Sequence, residues 1–340
     1  EDIYADLLAR VNKLLEEDLS DAFVEEKYDF IYEGDLEAWY KFANTLKIKL
    51  MIRLSETSQY DNAALLSVIE AADLLTESAK ISGSIWDDSR EGKRHPLREF
   101  EAGGANYFSA NVIACKTFVD YLKENDDPRL PKLFTGSNGA FFGDFDSKSD
   151  SDGNGTTDDK ETYSKAIISP TLDAMLMSDW EVNFYVAEVY ARAGRSSEAQ
   201  AYYEAGVKAS LNQHGIDNHG VVDTGYAKWA NGSGEAPIRQ IAMQKWVANC
   251  NFQHIEAFLE RNRTKYPAVN SMDIAANRRV SFDNFPVGEL TLPVRGRARL
   301  NENLPASLLY PEYYMFRNNN APAQKPNIGQ KVWWNKKDGK

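Results

Sequence analysis

Apolar residues at positions 3, 7, 8, 11, 14, 15 and 19 recur at helical spacing, so the chain opens in an amphipathic helix over about 3–19. A second helix is predicted after Gly34, with Leu36, Trp39, Ala43, Leu46 and Leu50 along one face. Asp35 can cap it, Glu37 suits its positive end, and Lys47, Lys49 and Arg53 crowd its negative end. Two more helices are predicted over about 62–77 and 107–124, the latter stopping before Pro128. Residues 131–170 lose the period and fill with Gly, Ser, Asp and Asn, the composition of a surface excursion. The period returns at Ser178. Ser178 and Glu181 form a capping-box pattern, with Trp180, Phe184, Ala187 and Ala191 following on one face. Gly194 closes that helix, and 197–211 reads as its antiparallel partner. A second polar loop, 212–236, leads to Pro237, from which one long helix is predicted to run to about Thr264, closed by Pro267. The tail, 268–340, is rich in Pro and Asn and is expected to wrap over the helices.

The predicted fold is all-α. Within the 178–211 pair, Ala187 and Tyr190 fall on the small and aromatic positions of a tetratricopeptide helix A, and Ala199 and Tyr203 on those of helix B. The spacings fit a repeat of about 34 residues, which makes the body a tetratricopeptide-like helical-repeat scaffold with long irregular loops. Such scaffolds present surfaces, so the pattern leans toward binding.

Composition narrows this further. The chain has 340 residues, long enough for one large domain or two, and 43% of them are hydrophobic, enough for a sizeable core. No apolar run approaches the roughly 18 residues of a membrane span. A formal charge of −12, with the basic residues interleaved among acidic ones, argues against a nucleic-acid partner. Cys115 and Cys250 lie in apolar-periodic stretches and read as reduced core thiols, too few for a disulfide framework or a zinc site.

Catalytic signatures are missing: no GxSxG elbow, Walker loop, HExxH or GxGxxG occurs. His214 and His219, near Asp217 and Asp223, are the one histidine cluster and read as a solvated turn rather than a metal site. The chain reads as a non-enzyme. One metal motif does appear. Asp150, Asp152, Asn154, Gly155 and Glu161 fill positions 1, 3, 5, 6 and 12 of a calcium loop. Thr156 would add its carbonyl and Asp158 a water-bridged carboxylate, which completes the oxygen shell that calcium wants. Calcium is therefore the expected cofactor, with an acidic surface loop as the alternative.

Aromatic residues are plentiful: 7 Trp, 17 Tyr and 16 Phe. Most belong to helical faces, but Trp86, Phe141, Phe142, Tyr226 and Trp229 sit in predicted loops. Aromatic faces beside Asp, Asn and Ser suit sugar rings, which stack on C–H faces while their hydroxyls find polar partners. Trp86, Tyr226 and Trp229 are the expected ligand platform, Trp86 beside Asp87 and Asp88, Trp229 near Asn231. Packing under a loop is the alternative for each ring.

Five segments, in order, carry a resemblance. GDLEAWYKFANTLKIKLMIRL at 34–54 resembles the signature helix of the SusD/RagB family of Bacteroidetes surface nutrient-binding lipoproteins, and of its SusD-like subgroup in particular. GGANY at 103–107 with NDDPRLP at 125–131, WEVNFYVAEVYARAG at 180–194, QKWVA at 244–248 with EAFLERNRTKYP at 256–267, and KVWW at 331–334 agree with it. Phe258 and Arg261 replace the family's usual second Trp, and the YPE at 310–312 is compressed. The resemblance spans essentially the whole chain, read as a single SusD-like domain, 1–340, whose lipobox and first helices are absent from the sequence. It implies tetratricopeptide-like helix pairs, a lipid anchor at the cell surface of the outer membrane, and a lid-like partnership with a SusC-like TonB-dependent transporter. It carries over no ligand residues. Two functions follow: capture of an oligosaccharide for that transporter, or a helical-repeat adaptor for peptide or protein ligands.

Overall fold

A computed structural model describes residues 1–99, 112–144, 163–276, 281 and 284–339. Its longer helices are α1 (Asp2–Glu16), α2 (Leu36–Arg53), α3 (Asn62–Ala71), α4 (Lys116–Glu124), α5 (Asp179–Arg192), α6 (Ser196–Gln213), α7 (Glu235–Ala248) and α8 (His254–Thr264). Strands β1 (Ala79–Ile81) and β2 (Ala174–Met177) pair antiparallel in a small two-stranded sheet. The body is all-α, as its hydrophobic pattern predicts.

Helix α5 is the hub. It packs against α2, α3, α6 and α7, and ten of its residues, from Trp180 to Tyr190, are buried. Its antiparallel partner α6 lies along it most extensively. Ala187, Tyr190, Ala199 and Tyr203, the four repeat-template positions, are all buried. Gly206 permits the close approach, since a Cβ there would meet the Phe184 ring at 2.9 Å. Ile48 and Ile52 of α2, Leu65 and Ile69 of α3, and Ile241 of α7 complete this core.

Helix starts follow their capping chemistry. Asp35 accepts from the backbone N–H groups of Glu37 and Ala38, and Asp61 from those of Ala63 and Ala64. Ser178 caps α5 through Glu181 N–H at 3.2 Å. The reciprocal half of the predicted box is not made. The Glu181 carboxylate is buried instead, where it accepts from Tyr185 Oη at 2.6 Å and pairs with Lys49 at 2.9 Å.

Three element boundaries differ from the sequence expectation. Helix α3 ends at Ala71 because α2 captures the following turn: Asn44 Nδ2 donates to the Asp73 carbonyl and Leu75 N–H to Thr45 Oγ1. Residues 112–115 are extended, with Ala114 N–H donating to Ser164 O and Ala140 N–H to Ala114 O, so α4 starts only at Lys116. The helix expected over 237–264 is two helices, broken at 249–253 and turned by Asn251 at φ 65°.

The break serves a buried ionic network joining α2, α5, α7 and α8. Arg263 clamps Glu188 through two bonds of 2.6 Å and also reaches Glu260 at 2.7 Å. Lys245 joins Glu260 at 2.8 Å, and Arg53 joins Glu256 at 2.8 Å and Glu260 at 2.9 Å. Lys49 bridges Glu181 and Glu256. Lys49 and Arg53 thus turn inward to carboxylates rather than only complementing the α2 dipole. Each charge is matched, as buried charges require.

Candidate functional site

A cleft of about 500 Å³ opens where the end of α5 meets the starts of α3, α6 and α7. Tyr60, Arg192 and Trp229 line it together with Asn62, Ser196, Ser233 and Glu235. Its size falls within the range of small-ligand sites, about 300–1,000 Å³. The sequence builds it from turns. Gly234 adopts φ 63° and ψ −125° immediately before α7, a conformation that favours glycine, and Gly194 closes α5 at φ 74°.

Polar partners ring this cleft. Tyr60 Oη donates to Asn62 Oδ1 at 2.5 Å, and the Arg192 guanidinium lies 5.6 Å from the Tyr60 ring centre. Arg192 is held from behind by Glu188 at 2.9 Å and Glu56 at 2.8 Å, so its charge is already matched. Burial first, then the nearby Glu188 carboxylate, push the Tyr60 hydroxyl above its ordinary value, so it remains a neutral donor. Glu235 is exposed, with its carboxylate engaged by Lys337 at 2.5 Å and by Tyr266 Oη at 3.3 Å. The result is a small polar concavity with an aromatic wall and hydroxyl, amide and carboxylate groups around it.

Of the three rings expected to form one platform, none stands as an open stacking face. Trp229 is 5% exposed. Its ring packs 5.1 Å from Tyr203, its Nε1 donates to Ser196 Oγ at 3.3 Å, and the residue lines the cleft. Gln240 pins the segment beneath it, donating to Lys228 O and accepting from Ala230 N–H. Tyr226 is locked edge-on to Tyr121 at 5.7 Å and donates to Asp127 Oδ2 at 2.6 Å. The fully buried Arg129 forks onto the same carboxylate, donating from Nε to Oδ1 at 3.0 Å and from a guanidinium nitrogen to Oδ2 at 2.6 Å. Trp86 is half-buried, donates from Nε1 to Leu172 O at 3.0 Å and meets His95 edge-on.

Trp86 and Trp229 also belong to opposite ends of α6. Trp229 bonds Ser196 at the start of α6. Trp86 bonds Leu172, whose neighbour Asp173 accepts from Gln213 at the other end of α6. That helix has 18 residues, about 27 Å at the standard rise. Sequence could not show this, because a loop aromatic carries no period to say what waits beneath it. Tyr60, Asn62, Ser196, Ser233 and Glu235 carry no period or motif that joins them in the sequence. The one signal for them was the GSG turn at 232–234 ahead of a helix start.

The calcium pattern Asp150, Asp152, Asn154, Thr156, Asp158 and Glu161 lies outside the described residues. Among the described residues no group of three or more His, Cys, Asp or Glu is placed to hold a metal. His219 Nε2 bonds Asn212 Oδ1 at 2.8 Å, while His214 packs on Phe252. Burial, with Arg129 nearby, lowers the His214 ring to about 4, so it is neutral at physiological pH. No described helix is long and apolar enough to cross a membrane.

Residues 1–283 match the SusD-like family described as "Starch-binding associating with outer membrane". No curated protein matches the sequence. Among solved structures, the chain is similar to a chitin-binding protein at 20% identity, covering 98% of this chain and 72% of that one with a TM-score of 0.66. It is similar to a SusD homologue from Bacteroides thetaiotaomicron VPI-5482 at 19% identity, over 99% and 74% of the two chains, with a TM-score of 0.67. A SusD homologue from Bacteroides uniformis ATCC 8492 shares 20% identity over 99% and 73%, with a TM-score of 0.64. At these identities the likeness establishes the fold.

Proposed function

From the premise that this chain belongs to the SusD-like family, we propose that it captures an oligosaccharide at the cell surface and delivers it to a SusC-like TonB-dependent transporter. At the family level it is a carbohydrate-binding protein associated with the outer membrane, and not an enzyme. The proposal adds the oligosaccharide, the delivery step, the lipid anchor and the place of binding. The cleft between Tyr60 and Trp229 is the observation that carries it. A sugar ring entering there would meet the Tyr60 ring on one side and Asn62, Ser196 and Ser233 for its hydroxyls. Glu235 offers a carboxylate at the rim, the strongest acceptor for a sugar O–H.

Binding without turnover is the expected behaviour. Incubation with a panel of starch and chitin oligosaccharides should give retention of at least one, with its chain length unchanged after hours. Product formation abolished by a single carboxylate substitution would contradict the proposal. For the transporter, co-purification of the protein with an outer-membrane barrel from its native membrane is the test. Recovery of the protein alone, under conditions that keep such barrels folded, would contradict the delivery step.

A further inference from the structure

Two polar groups of the cleft are only half used. Arg192 donates from Nε to Glu188 and from Nη2 to Glu56 and Ser55, while its Nη1 meets no acceptor among the described residues. The side chain lines the cleft and keeps 17% of its surface exposed, so that nitrogen is a donor left for a ligand. Glu235 shows the reverse. Lys337 and Tyr266 both donate to its Oε2, and its Oε1 accepts from none of the described residues. With the side chain 57% exposed, a ligand can reach the free oxygen.

The two groups enter from different helices, Arg192 from the end of α5 and Glu235 from the start of α7. Tyr266 senses both sides. Burial first, then Glu235 and more weakly Glu56, the carboxylate that holds Arg192, push its hydroxyl above the ordinary value. Apolar side chains flank each polar group. Ala191 precedes Arg192, Pro237 and Ile238 follow Glu235 in the first turn of α7, and all three line the cleft.

Charge argues for a neutral occupant. Arg192 already answers to two carboxylates, and Glu235 already holds the Lys337 ammonium. A uronate at Arg192 would lie beside Glu56 and Glu188, and an ammonium sugar at Glu235 beside Lys337. Neither would find a free counter-charge to offset its lost hydration.

We propose that the cleft selects a neutral N-acetylated hexosamine: the acetamido carbonyl accepts from Arg192 Nη1, the acetamido N–H donates to Glu235 Oε1, and the methyl packs on Ala191, Pro237 and Ile238. This rests on the reading of the cleft as the glycan site. In a trans amide C=O and N–H point in opposite directions, as a donor from α5 and an acceptor from α7 require. A hydroxyl can satisfy either group, but it sets a polar atom against the apolar wall. The acetamido group carries donor, acceptor and methyl on one substituent.

Three trisaccharides of one linkage, differing only in one substituent per ring, test this: the N-acetylglucosamine trimer, the glucosamine trimer and cellotriose. In calorimetric titration of the native protein, the acetylated trimer should bind about tenfold more tightly than either of the others, the worth of one or two hydrogen bonds and a buried methyl. Glu235→Ala, at an exposed position, should narrow that preference about fivefold. Cellotriose binding as tightly as the acetylated trimer would overturn the acetamido pocket and leave the glycan reading standing. Tightest binding by the glucosamine trimer would overturn the neutral occupant. Equal binding of N-acetylalanine methylamide would assign the pocket to peptide instead of sugar. Binding of no glycan at all would overturn both readings. Should Glu235→Ala melt early, the ligand series on the native protein still decides.

Discussion

Arg263 and Glu188, 75 residues apart in sequence, meet through two parallel bonds of 2.6 Å with both side chains buried. This fork ties α8 to the hub helix α5, and Glu260, Lys245 and Arg53 extend it to α7 and α2. Bidentate geometry makes such a pair strong and directional. Removing one partner leaves the other charge buried and alone. Arg263→Met should therefore lower stability by about 3–5 kcal/mol in urea unfolding. A loss under about 1 kcal/mol would mean that the network relaxes around the gap.

The same network predicts acid sensitivity. Burial works to raise the Glu188 and Glu260 carboxyls, but the surrounding cations together more than reverse it, Arg263 and Arg192 foremost at Glu188 and Arg263, Lys245 and Arg53 at Glu260, and both lie below the ordinary glutamate value of 4.5. The unfolded chain then binds more protons than the native one as pH falls below about 4.5. Stability is present in full above that pH and declines as pH falls through the lower native values. Urea midpoints measured at pH 6, 4 and 3 should drop steeply, and less steeply in Glu188→Gln. A flat profile would contradict the charge assignment.

Trp229 should behave as a packing residue. Cutting it to Ala removes a ring that sits against Tyr203 and should cost about 3–5 kcal/mol of stability. Retention of full thermal stability in Trp229→Ala would show instead that the ring serves the ligand alone.

Calcium at 150–161 is a proposal that rests on the spacing of its oxygen-bearing residues. Calorimetric titration of the chelated protein should find one site, weakened by Asp152→Ala. Absence of both heat and thermal shift would reduce the motif to an acidic turn.

The sequence was most readable where one face of a helix is dry. The α5–α6 pair was legible because Ala187, Tyr190, Ala199 and Tyr203 repeat at positions that only burial explains. The α2 cap was legible because Asp35 reaches only the next turn. Long-range partners left no such trace. Glu181 and Arg53 look like ordinary cap and dipole residues, and only the folded chain shows Lys49 and Glu260 opposite them. The break at 249–253 was hidden because apolar positions continue in phase on both sides of it. The polar cleft was the least legible of all, since Tyr60, Ser196 and Ser233 come from three separate turns.

Glycan binding in the cleft beside Tyr60 can be read by affinity electrophoresis. The native protein and two variants would be run through gels containing soluble starch, and titrated in parallel with chitin oligosaccharides. Ser233→Trp places bulk on an exposed rim position and leaves the core intact, whereas Asn62→Ala removes an amide that accepts from Tyr60 Oη and donates to Val189 O, at some cost in stability. Expected are retention of the native protein by at least one glycan, a tenfold or greater loss in Ser233→Trp with a melting temperature near that of the native protein, and a smaller loss in Asn62→Ala. Retention equal in all three proteins would contradict binding in this cleft, placing the glycan site elsewhere on the molecule.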